Sequence, residues 1–147
     1  MRFLTRTASK NLGTAKGEAE WDRRLAEYEK HFASITPSLT TGWRRVGETD
    51  FHDTVVWSVE RPRKSEIILR VDMTPRWQHP PLRVCTLHFT GVRDADIPDR
   101  VTHDWWVYNE VDRTGDGCGE LRVLLRESQF RIASRDVDYA TNFDDAA

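Results

Sequence analysis

Trp106, Tyr108 and Glu110 stand at every second position of the run Asp104-Trp105-Trp106-Val107-Tyr108-Asn109-Glu110-Val111-Asp112. Such alternation reads as a strand, with Trp105, Val107 and Val111 on its apolar face and Trp106, Tyr108 and Glu110 on the other. After a glycine-rich turn a second run, Glu120-Leu121-Arg122-Val123-Leu124-Leu125-Arg126, brings Arg122 to the same side. Strands placed before and after these two add His88 and Arg131. Tryptophan, tyrosine and arginine dominate binding hot spots, and a histidine and a carboxylate beside them supply directional hydrogen bonds. The set Trp106, Tyr108, Glu110, Arg122, Arg131 and His88 is therefore expected to form a partner-binding face, the partner being another protein or a second copy of the chain.

Other chemistry is less well supported. Phe51-His52-Asp53-Thr54 pairs an imidazole with a carboxylate, as a general base or metal ligand requires, yet adjacent strand residues point to opposite faces. His52 is thus expected to pack half-buried with one hydrogen bond, and Asp53 to satisfy turn amides. His79 falls in the proline-rich stretch 74–81, His88 on a strand, and His103 beside Asp104. No pair has the helical i, i+4 or the C-x-x-C spacing of a zinc site, so neither a metal nor another cofactor is expected. Asp112-x-Thr114-x-Asp116-Gly117 begins like a calcium loop but has Val123 where the twelfth position needs a bidentate glutamate, so it is read as a hairpin turn. Nucleophile-elbow, phosphate-loop and dinucleotide-loop patterns are absent. A small-molecule or metal-binding enzyme would have to draw on His52, His88 and Glu110. The leading reading is non-enzymatic, with a homodimeric structural protein as a third possibility.

The elements that must position these side chains follow from periodicity. Trp21, Leu25, Tyr28, Phe32 and Ile35 recur at spacings of four and three, the seam of an amphipathic helix that packs into a core, with Glu20 and Arg24 four apart to pair on its polar side. Pro37 ends it. Residues 36–50 read as a connector in which Trp43 tucks under a sheet. Strands are expected over 54–61, with Val55, Trp57 and Val59 on one face, over 65–73, 82–90 and 104–112, from Glu120, and over 128–137. The connectors 74–81 and 91–103 separate them. One helix and about six strands joined by short links argue an α+β domain, a helix on an antiparallel meander. Its core face would carry Trp57, Leu69, Leu87, Val107, Val123 and Ile132. The expected organisation is a basic arm over 1–16, one domain over 17–138 and an acidic tail over 139–147.

Composition narrows the function class. In 147 residues, 38% hydrophobic and 31% charged, the net charge is −2, and 22 Lys and Arg are interleaved with 24 Asp and Glu. Without a basic face to neutralise phosphates, nucleic-acid binding is not expected. No apolar run reaches the roughly 20 residues of a membrane span, and no secretory h-region opens the chain, so a soluble, cytoplasmic protein with Cys85 and Cys118 as free thiols is expected.

Several stretches carry a resemblance. Met1-Arg2-Phe3-Leu4-Thr5, Phe51-His52-Asp53-Thr54, Leu87-His88-Phe89-Thr90-Gly91-Val92, Trp105-Trp106-Val107-Tyr108-Asn109-Glu110-Val111 and Glu120-Leu121-Arg122-Val123-Leu124-Leu125 resemble, in this order, an uncharacterised bacterial family, a domain of unknown function. Its pattern has an F/L-H-D segment, an F-x-G-V strand, a W-W-x-Y-x-E-V strand and an E-L-H-V-L-L strand. Arg122 stands where that last strand has histidine, which argues against a ligand there. The F-H-D segment is also similar to one in immunity proteins of bacterial toxin systems. The resemblance implies a fold, a bacterial source and, through the shorter likeness, an inhibitory role, but no chemistry.

Overall fold

The computed structural model describes residues 1–77 and 82–143. His79 and the last four residues of the acidic tail lie outside them. The helical seam forms α2 (Ala15–Ile35), capped at its start by the Thr14 hydroxyl, which accepts the Gly17 N–H. Trp21 and Tyr28 are buried along it, and Arg24 pairs with Glu20 at 2.9 Å. A short α1 (Arg6–Lys10) precedes it. The connector after Pro37 holds a helix the periodicity reading missed, α3 (Thr41–Glu48), capped by Thr40. Trp43 and Val46, one turn apart, are its buried side.

Six strands follow, β1 (Val55–Arg63), β2 (Glu66–Asp72), β3 (Val84–Asp96), β4 (Trp106–Arg113), β5 (Gly119–Leu125) and β6 (Gln129–Thr141), with a single-turn α4 (Thr74–Trp77) between β2 and β3. All pairings are antiparallel, so the architecture is α+β as expected. The order, however, is β1-β2-β3-β6-β5-β4. It is not one simple meander: two three-strand meanders are joined through β3 and β6. Strand β6 continues through Thr141, opposite Cys85, so three residues of the expected tail belong to the sheet.

The two edge strands also meet. Val56 N–H donates to Asp104 O at 3.0 Å, His103 N–H to Val56 O at 2.7 Å, Trp106 N–H to Thr54 O at 2.8 Å, and Asp53 N–H to Trp106 O at 3.0 Å. The sheet therefore curls until its ends touch, and one face becomes an interior. Leu69, Leu87, Phe89, Val123, Leu125 and Ile132 fill it, with Trp43, Val46 and Phe51 packed against them. A curled sheet buries its inner face on itself and needs far less outside cover than a flat one. Gly119 admits Trp43 to this packing: a Cβ there would come within 2.2 Å of the indole.

Beside this seam two β-bulges change which residues face inward. Val56 opposes Val71 and Ser58 opposes Arg70, leaving Trp57 as an extra residue in β1. Likewise Trp106 opposes Leu125 and Tyr108 opposes Leu124, leaving Val107 extra in β4. An inserted residue breaks strict alternation. As a result Val56, expected outside, is fully buried, and Trp57, expected in the core, is 41% exposed. Trp106 takes the inward place expected for Val107, its ring 4.7 Å from Phe51 and edge-on to Phe130.

Candidate functional site

The structure divides the expected partner-binding residues among four places. Trp106, 1% exposed, belongs to the interior and offers nothing to a partner; the β4 bulge is the reason. Glu110, Arg122 and Arg131 do lie side by side across β4, β5 and β6 on the outer face. That face is covered over Glu110, which is also 1% exposed. Its carboxylate accepts the backbone N–H of Arg2 at 2.8 Å, Phe3 at 2.7 Å and Leu4 at 2.6 Å. The segment expected as a basic arm is thereby fastened to the sheet, with Leu4 and Ala8 buried against Trp21 and Tyr28. Glu110 is thus a structural acceptor and not a partner contact.

Around it the charges answer one another. Arg122 approaches Glu110 at 3.8 Å and Asp112 at 3.4 Å and bonds Glu120, while Arg131 pairs with Asp94 at 2.7 Å. His31 of α2 bonds Asp112 at 2.8 Å. Because a carboxylate only accepts, the His31 Nε2 carries the proton in that bond. Burial works to raise the Asp112 carboxyl, but His31, the Arg113 N–H and Arg122 outweigh it and hold the group below its ordinary range. Tyr28 completes the docking of α2 along β4: its hydroxyl accepts the Val111 N–H at 2.8 Å. Burial, offset only in part by that bond, pushes its phenol up to about 12.

His88 lies elsewhere, on β3 between Ile68 and Asp138. Three strand spacings separate its strand from β4, roughly 14 Å. His52, His88 and Glu110 therefore do not converge on one site, and among the described residues no group of three or more His, Cys, Asp or Glu side chains is placed to hold a metal. The calcium-like run is a hairpin turn, closed by Thr114 N–H to Cys118 O at 2.8 Å.

Tyr108 leads to a different feature. One side of its ring is covered by Trp21 at 4.5 Å, and His52 stacks on it at 4.9 Å with 17° between the planes. The His52 Nδ1 meets Val107 O at 2.6 Å, the single hydrogen bond expected of it. A carbonyl accepts, so Nδ1 bears the proton and Nε2 is left facing Asp53 at 3.4 Å. Adjacent residues can meet here because Asp53 is not extended: its φ is +62°. Tyr108 and His52 border an open groove of about 450 Å³ between α2, the α3–β1 loop and β4. Leu25, Tyr28 and Phe32 supply apolar wall, and Glu29, Glu48 and Asp50 are carboxylates on its lining. Burial first, then the charges of Asp53, Asp50 and Glu18, raise the Tyr108 phenol. The wall follows from the helical seam, whereas nothing in the spacing marked Glu29, and Glu48 and Asp50 stand at and beyond the end of α3, which was not anticipated.

A family model described as proteins of unknown function, DUF4085, matches residues 10–133. The chain belongs to that family. DUF4085 thus covers α2 and α3, β1 to β5 and the start of β6, including every residue of the groove except Leu4. No curated protein and no solved structure matches the chain. Among the described residues no helix is long and apolar enough to cross a membrane.

Proposed function

We propose that this DUF4085 domain is a non-enzymatic module that binds a protein partner, and that its recognition site is the groove beside Tyr108. The observation that carries the reading is the contrast in saturation. The polar groups on the outer face at Glu110 are spent on the chain's own arm and helix, whereas the carboxylates of Glu29 and Glu48 have no hydrogen bond or ion pair among the described residues. A concave aromatic-walled cleft with a few polar groups is the form of site that seats a compact group, and the anchoring side chain of a protein partner is such a group. The inhibitory, immunity-like role is the narrower version of this reading, supported by the likeness of the F-H-D segment, whose His52 borders the groove.

The test is site-specific photo-crosslinking in the native cell. A benzophenone side chain at position 49, on the groove lining beside Glu48 and Asp50, is expected to capture one discrete partner, and the same group at position 93, exposed on β3 away from the groove, is not. Equal capture at both positions, or none at 49, removes the groove as the recognition site.

Self-association is a second reading with its own support. Trp57 and Trp105, 41% and 40% exposed, flank the seam where β1 meets β4, and two half-exposed tryptophans form an apolar surface available to a second copy. Sedimentation at several concentrations decides it, since a mass of 17.1 kDa throughout leaves no dimer to explain.

A further inference from the structure

The composition of the groove says more about its occupant than that it binds. Its lining includes three carboxylates, Glu29 from α2 and Glu48 and Asp50 from the end of α3 and the loop beyond, so acid approaches from both sides. No lysine or arginine lines it among the described residues. Asp50 accepts the His52 N–H at 3.0 Å, whereas Glu29 and Glu48 are both exposed and keep their full acceptor capacity. Between the acids lies aliphatic and aromatic wall, and the His52 side chain, 42% exposed, presents ring surface that Tyr108 does not cover.

An ammonium would satisfy the charge but not the ring. A guanidinium is planar, weakly hydrated and always charged; it stacks on a flat aromatic surface while its edge N–H groups reach carboxylates, and its propyl stem lies well against apolar wall. Resting on the reading that the groove is the recognition site, we infer that it receives an arginine side chain of the partner protein, stem along Leu25 and Phe32, plane over His52, and N–H groups toward Glu29 and Glu48.

Blocked tripeptides of one frame, acetyl-Leu-X-Phe-amide, test this against the full chain, read from the backbone amide shifts of Thr49 and His52. With X as arginine the shifts are expected to saturate. Citrulline, which has nearly the same shape without the charge, is expected to bind about tenfold more weakly, the scale of a pair of partly exposed charge contacts. The double variant E29Q/E48Q should remove that preference while leaving the citrulline peptide unaffected, and an unchanged amide spectrum elsewhere shows that it folds. Equal binding of the two peptides at these amides, or a preference for X as glutamate, overturns the arginine assignment and leaves the groove standing. Absence of any shift at Thr49 and His52 up to millimolar peptide overturns the assignment as well, and crosslinking at position 49 then decides the groove separately. Shifts there that follow protein concentration without peptide make the occupant a second copy, and that too overturns it.

Discussion

Glu110 and His52 are both neighbours of Tyr108, one along β4 and one through a ring stack, and their situations are opposite. Glu110 has its carboxylate filled by three amides of the chain's own first residues and is sealed from solvent. His52 makes one bond with Nδ1, stacks on Tyr108, sets Nε2 beside Asp53 and keeps part of its ring exposed along an open cleft. By residue type the two look equally functional. What separates them is how much hydrogen-bonding capacity the fold has already used, and only the second has any to offer. Buried polar groups are saturated internally as a rule, so a charged residue on a sheet is evidence for recognition only after its internal partners are counted.

If this contrast is right, the largest effect should come from a residue that looked like surface. Trp106→Ala removes an indole from the closed interior beside Phe51 and Phe130, and a loss of about 4 kcal/mol is expected from urea unfolding. Trp57→Ala, at the other bulge, should cost under about 1 kcal/mol because its ring is already half in water. Similar losses for the two would mean that the bulges do not set which tryptophan faces in. Next in size is Glu110→Ala, which leaves the arm without its acceptor. About 2 kcal/mol is expected, less than the sum of three lost bonds because the freed amides can turn to water. The distinguishing sign is local: the amides of Phe3 and Leu4 should exchange with solvent while those of Leu87 and Val123 stay protected. Retained protection at Phe3 would show that apolar packing of Leu4, and not the carboxylate, fastens the arm.

How much of this could be read from the chain depends on the range of the interactions involved. Helix α2 and the six strands follow from local periodicity, and so did the core seam of Trp21 and Tyr28. Helix α3 was missed because eight residues with two apolar positions and two glycines give a weak helical pattern, although Thr40 three residues before Trp43 is an N-cap in the right place. The inward turn of Trp106 and the outward turn of Trp57 were illegible for another reason. Each depends on one inserted residue in the pairing of two consecutive strands, beside the seam where β1 meets β4, and a period-two reading assumes none. The union of Glu110 with Arg2, Phe3 and Leu4 spans more than a hundred residues through backbone donors, which any residues but proline would supply, so no side-chain pattern announces it.

The smallest expected effect concerns the margin between the sealed face and the helix that borders the groove, where His31 of α2 bonds Asp112 of β4. Burial opposes ionisation of Asp112, and His31, the Arg113 N–H and Arg122 together more than offset it, so its folded-state value lies below the ordinary 3.8. A carboxylate depressed in the folded state contributes stability that is present above its unfolded value and is lost as pH falls through the folded one. Acid should therefore weaken the docking of α2 below about pH 4, and His31→Ala, which removes the largest of the depressing contacts, should make the urea midpoint less steep in pH over that window. Asp112→Asn is the companion: with no carboxyl left to titrate, its acid limb should flatten further. Were both variants to keep the parent's slope between pH 3 and 5, the contact between α2 and β4 would be held by Tyr28 and Trp21 alone, and the groove wall to which Tyr28 belongs would be indifferent to the charges beside it.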